Sequence, residues 1–179
     1  MKIAALAAVA LLLPGALAQE PQTGLKKTQP KPAPKAAGFV TEADAKAVFT
    51  RAELIIRKVT KSTAKVSPIS LSGNQPISRA KAIREFNRLY DVTRPQIKST
   101  PRPVKMNLEV IKMSGSTREI LIKLVKLGAV GNYSTLAAGP ADKLTPRDFG
   151  DSLGFFLSRM AQMTHTPSSR WSPPLMRDR

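Results

Sequence analysis

The sequence predicts a mainly helical fold: two packed helix-loop-helix units with one short β element. Three observations predict it. Apolar residues recur at helical spacing in four separate segments. Three of those segments open on a hydroxyl residue followed three positions later by an acid, the pattern that caps a helix start. Strict period-two alternation occurs only once, over a few residues.

The elements follow in chain order. Thr41 with Asp44 opens a first helix, Glu42 to about Thr60, with Ala45, Val48, Ala52, Ile55, Ile56 and Val59 on one face. A polar stretch with Ser72-Gly73-Asn74 as its turn leads to Ser78, the cap of a second helix whose stripe is Ala82, Ile83, Phe86, Leu89 and Tyr90. After Pro101 and Pro103, Val104, Met106, Leu108 and Val110 alternate with Lys105, Asn107 and Glu109, which predicts the strand; Val104, Leu108 and Ile111 also fit a helix. Ser116 with Glu119 predicts the third helix start, carrying Ile120, Leu121, Leu124, Val125 and Leu127, with Gly128 at its C-terminal cap. A loop over 131–143 then reaches Thr145-Pro146-Arg147-Asp148, where hydroxyl cap, first-turn proline and acid coincide. Phe149, Leu153, Phe156, Leu157, Met160 and Met163 supply the last stripe. Segments 75–86 and 142–153 superimpose at an offset of 67, Ile77 on Leu144 and Ser78 on Thr145, a repeat of architecture.

Composition bounds what such a fold can do. The chain has 179 residues, 29 Lys and Arg against 12 Asp and Glu, one histidine and no cysteine. Disulfides, thiolate zinc sites and thiol nucleophiles are excluded, as is a multi-histidine metal site. Aromatics at 5% predict an aliphatic core. Lys2, the apolar run Ile3 to Leu13, Pro14-Gly15 and Ala16-Leu17-Ala18 form the pattern of a signal peptide over 1–18, and no later segment is long and apolar enough to cross a membrane. Export then removes one cation, Lys2, from the +17 total. Residues 19–38, with four prolines and four lysines, predict a semi-rigid basic tether, either attracted to an anionic surface or a plain spacer. The folded domain is expected over 39–163 and an irregular tail over 164–179.

Residues 118–133, Arg-Glu-Ile-Leu-Ile-Lys-Leu-Val-Lys-Leu-Gly-Ala-Val-Gly-Asn-Tyr, and 139–149, Gly-Pro-Ala-Asp-Lys-Leu-Thr-Pro-Arg-Asp-Phe, follow the order of a known module. A helix ends in glycine, a glycine-containing loop and a proline follow, and a new helix opens on an apolar residue and threonine. In this order the chain resembles the S-layer homology (SLH) domain over about residues 116–163, with a second copy at 68–90 where Ile77-Ser78-Arg79-Ala80-Lys81-Ala82 stands for the helix start. Phe49-Thr50-Arg51-Ala52-Glu53-Leu54 spells that start most literally but falls inside the first helix, where it is read as coincidence. The resemblance implies an exported, non-catalytic module that attaches to acidic cell-wall polysaccharide or peptidoglycan. It also implies a ligand contact at the arginine of the helix start, which is Arg79 here. In the other copy Pro146 holds that position and Arg147 follows it. Ligand sites of the family are usually built from three repeats, and the sequence shows two.

The residues themselves point to polyanion binding. An exported, strongly basic protein is drawn to wall polymer, lipopolysaccharide, anionic lipid or extracellular DNA. Arg94, Lys98, Arg102 and Lys105 cluster between the two units, and Arg84 and Arg88 lie one turn apart on the second helix. The candidate ligand-binding residues are therefore Arg79, Arg84, Arg88, Arg102 and Arg147. Tyr90 is the one aromatic near them, which disfavours nucleic acid. Envelope proteins are the alternative partners. A serine nucleophile would need His165, which sits in the tail away from any Gly-x-Ser-x-Gly turn. Asp142, Asp148 and Asp151 have capping or surface roles, and no phosphate-cradling glycine loop is present. The chain is read as non-enzymatic, with no metal or cofactor.

Overall fold

The computed structural model describes residues 38–100, 108–111, 113–167 and 171. The predicted signal peptide, the tether before Gly38, Arg102 and the Val104–Asn107 half of the predicted strand lie outside the described residues. The fold is mainly helical, with α1 over Glu42–Thr60, α2 over Arg79–Thr93, α3 over Gly115–Lys126, the single turn α4 over Thr135–Ala138, and α5 over Pro146–Met163. A 3-10 turn, Arg94–Gln96, extends α2. The central element is α2, which packs on α1, α3 and α5, while α4 packs on α5.

Three helix starts meet at one place. The hydroxyls of Thr41, Ser78 and Thr145 each accept the backbone N–H three residues on, from Asp44, Lys81 and Asp148. The residues just before them hydrogen-bond to one another through the backbone: Val40 N to Leu144 O at 3.0 Å, Ile77 N to Val40 O at 2.8 Å, and Arg79 N to Asp142 O at 2.7 Å. Two isolated antiparallel bridges, Thr41 with Pro76 and Ser78 with Lys143, are the only β pairing among the described residues. The architectural repeat at residues 78 and 145 thus has a third member at Thr41, again an apolar residue followed by a hydroxyl cap. Capping frees these starts from unsatisfied donors, and the side of each chain not used by its own helix bonds to its neighbour.

Below this junction the core is more aromatic than composition predicts. Phe49 of α1 meets Phe86 of α2 edge-on at 5.3 Å and Phe149 of α5 at 5.2 Å, and Phe86 meets Phe156 at 5.3 Å. Few aromatics in the chain did not mean few in the core, because each of these rings sits at a buried stripe position of its helix. Leu89, Leu121, Leu124, Leu136 and Ile83 fill the space around them.

Three further expectations are corrected. Leu108–Val110 forms a 3-10 turn and not a strand; Ile111 N bonds back to Leu108 O, which leaves Leu108 half exposed and buries Ile111. The start of α3 is set one residue before the predicted Ser116 cap, so Ser116 falls inside the first turn, and Ser114 in the cap position makes no side-chain bond. Its end does follow the sequence: Gly128 takes φ +69°, Ala129 N bonds to Leu124 O and Gly128 N to Val125 O, a Schellman ending. The loop over 131–143 contains the unpredicted turn α4, capped by Ser134. Beyond α5, Trp171 is only 2% exposed and its indole N–H donates to the Thr166 hydroxyl, so the packed region reaches into the tail and this tryptophan seals the core.

Candidate functional site

The candidate arginines divide by depth. Arg79, at the first position of α2, is 5% exposed. Its guanidinium donates through Nη1 to the carbonyls of Gly139 and Thr135, clamping the end of α4. Gly139 lets α4 close tightly at this end, since a Cβ there would stand 2.4 Å from the Thr135 carbonyl oxygen. Burial pushes the Arg79 pKa down, with the Asp142 charge opposing it. This side chain braces the junction and presents no guanidinium to solvent.

Arg88 is likewise interior. Its Nε donates to Glu85 at 2.7 Å and its Nη1 to Glu53 at 2.6 Å, while Arg57 Nε donates to the other oxygen of Glu53 at 2.8 Å. Glu85 also accepts from the Ser70 N–H, and Arg57 donates to the Ser62 and Ala64 carbonyls, so the network fastens the 61–76 segment over α1 and α2. Desolvation raises the Glu53 pKa, but Arg88 and Arg57 outweigh it and the net shift is downward. Glu42 is a second interior acid, 1% exposed; the Lys81 ammonium at 2.6 Å holds its pKa below the usual range, helped by the Ser72 N–H.

Arg84 and Arg147 are exposed, and Arg147 lies 3.8 Å from Asp151 across a turn of α5. Both present their side chains to solvent, whereas Arg79 is interior. The structure instead gathers cations at the other end of α2. A groove of about 530 Å³ between α2 and α3 is lined by Tyr90, Arg94, Glu119, Ile122, Lys123, Lys126 and Leu127. The Lys123 ammonium stands 5.2 Å from the centre of the Tyr90 ring, donates to Asn87 at 2.9 Å and lies 3.5 Å from Asp91. Arg84 stands seven residues before Asp91, on the same face of α2. Ile122 and Leu127 give the groove an apolar floor beneath its charged rim.

Of these groove cations, only Arg94 was singled out in the sequence; Lys123 and Lys126 were not. Their signal is the i, i+3 spacing, which sets both lysines on one side of α3, away from the Leu121, Leu124, Val125 stripe.

A second cleft, of about 520 Å³, lies between the 130–136 loop and α5 and includes Tyr133, Asp148, Asp151, Ser152 and Phe155. Asp148 accepts from the Thr145 hydroxyl at 2.7 Å and the Thr135 hydroxyl at 3.0 Å, which together hold its pKa below the usual carboxylate range. His165 is exposed and its Nε2 lies 2.9 Å from the Ser99 hydroxyl, a pair the sequence separates by 66 residues; it ties the segment after α2 to the end of α5. No group of three or more metal-ligating His, Cys, Asp or Glu side chains occurs among the described residues. No family model, no curated protein and no solved structure matches the chain.

Proposed function

We propose that the protein is an exported, non-enzymatic cell-envelope protein that holds an anionic cell-wall polymer, and that the polymer lies along the groove between α2 and α3. The observation that carries this reading is the convergence of Arg94, Lys123 and Lys126 over an apolar floor closed by Tyr90. Ammonium and guanidinium groups on such a rim pair with carboxylate or phosphate, while the floor accepts the apolar face of a polymer unit. The surplus of cations over the whole chain steers a polyanion toward it. The third apolar-hydroxyl helix start, at Val40-Thr41, supports the likeness to SLH modules, whose sites use three such starts. The signal-peptide pattern supports export, and no helix among the described residues is long and apolar enough to cross a membrane.

The burial of Arg79 favours a second reading, an envelope interaction factor that has the helix-start arrangement without a glycan contact there. Retention on purified cell-wall sacculi, with and without their acidic polysaccharide and across a salt series, separates the two. The polymer reading expects polysaccharide-dependent retention that falls sharply in Lys123→Glu/Lys126→Glu. Equal retention of wild type and double variant, or retention independent of the polysaccharide, would support the interaction factor.

A further inference from the structure

The cleft between the 130–136 loop and α5 has a chemistry opposite to that of the basic groove. Two aromatic rings border it: Tyr133, at 77% exposure the most open large hydrophobic side chain among the described residues, and Phe155 at 44%. Exposed rings gathered on one concavity, unlike hydrophobic residues scattered singly, mark a surface that a ligand can cover. The loop lies close over Phe155: a Cβ built on Gly131 would meet the Phe155 ring at 3.9 Å. Asp148 and Asp151 also line the cleft, as do Ser134 and Ser152.

Charge here is balanced. Arg147 lies 3.8 Å from Asp151, and the Arg159 guanidinium sits 5.7 Å from the Phe155 ring centre while donating to the Gly128 carbonyl. The two carboxylates of the lining thus have two guanidiniums close by, in contrast to the cation-rimmed groove between α2 and α3. Each Asp148 oxygen accepts one hydroxyl and keeps a further lone pair. Apolar ring faces set beside fixed acceptors match a ligand that is itself apolar on one face and hydroxylated around its edge. A pyranose ring has that form, and the volume falls in the ordinary range of small-ligand sites, about 300–1,000 Å³.

We propose that this cleft is a subsite for an uncharged sugar ring, stacked on Tyr133 and Phe155 and hydrogen-bonded through its hydroxyls to Asp148 and Asp151. The inference stands apart from the wall-polymer reading, since it needs a sugar face and no ligand charge. The full chain, labelled with nitrogen-15, is titrated by NMR with three neutral trisaccharides, built from N-acetylglucosamine, glucose and mannose, and with trilysine and inorganic phosphate as charged probes. The expected result is that at least one trisaccharide shifts resonances of residues 130–136 and 148–155, equally at low and high salt. Tyr133→Ala, a truncation at an exposed site, weakens that binding about tenfold, whereas Phe155→Leu, which keeps apolar volume without a ring, weakens it less. Lys123→Glu/Lys126→Glu leaves it unchanged, so loss of wall-polymer retention and loss of this site are read separately. If none of the trisaccharides moves these resonances, if only trilysine or phosphate does, or if Tyr133→Ala binds as wild type, the inference is wrong.

Discussion

The two ends of α2 carry the same residue type to opposite ends. Arg79 at its first position and Arg88 past its middle are drawn inward, one onto the carbonyls of Thr135 and Gly139 and the other between Glu53 and Glu85. At its C-terminal end Arg94 stays in solvent beside Lys123 and Lys126. The difference lies in what each arginine finds within reach. The first two meet acceptors that burial has already stripped of water, where a fork of N–H donors is worth most. The third stands exposed on a groove rim that it shares with Lys123, Lys126, Glu119 and the Tyr90 ring. A basic residue on this helix is therefore structural or available according to its partners, and net charge does not tell the two apart.

The sharpest way to break that comparison is at Arg88. Arg88→Ala leaves the buried Glu85 without its cation and Glu53 with Arg57 alone, and is expected to cost about 3 kcal/mol in urea denaturation, while Arg88→Met, which restores volume only, should recover little. Next, Arg79→Ala removes charge-assisted bonds to two carbonyls and is expected to cost about 1.5–3 kcal/mol. Because those carbonyls belong to α4, hydrogen exchange should rise first over residues 135–142. A loss confined to α2 would show that Arg79 does not brace the junction.

Acid sharpens the contrast from the other side. Glu42, Glu53 and Asp148 all have pKa values lowered in the folded state, so they bind fewer protons folded than unfolded. The stability they contribute is present above the ordinary carboxylate values of about 4 and is lost as pH falls through their lower folded values. The thermal midpoint should therefore hold from neutrality down to that range and then decline. In Glu42→Gln the decline should be shallower, and an unchanged slope would remove Glu42 from the account. The smallest effects belong to the exposed cations: Arg84→Ala and Arg147→Ala should each change stability by less than about 0.5 kcal/mol, the latter despite its ion pair with Asp151.

What could be read in advance follows from the range of the forces involved. The caps at Thr41, Ser78 and Thr145, the Gly128 ending and most of the buried stripes depend on residues within one or two turns, so local spacing carried them, although in α1 it put Val48 on the buried face and passed over Phe49, which is the fully buried side chain. The fates of Arg79 and Arg88 depend on partners far along the chain, Gly139 for one and Glu53 for the other, and no local pattern announces them. Leu108–Val110, the described end of a stretch that alternates like a strand, forms a 3-10 turn, because alternation alone does not specify a strand without a partner to pair with. The third helix start was visible as a cap at Thr41, but its kinship with the other two emerged only when Val40 was seen bonded to both Ile77 and Leu144. The aromatic cleft was hidden for the same reason: Tyr133 and Phe155 lie in a loop and on a helix, and only the fold brings them to one concavity.

That double bonding of Val40 also has a mechanical meaning. Its N–H is held by Leu144 and its carbonyl by Ile77, so a pull on the chain at Gly38 reaches three segments at once before it reaches the end of α1. The load is shared by bonds far apart in the sequence, and α1 does not have to unravel from its first turn for strain to be felt at α5. The junction behaves as a knot in a rope does: tension arriving along one strand is passed to the others, and the weakest element under force is set by how the three are tied.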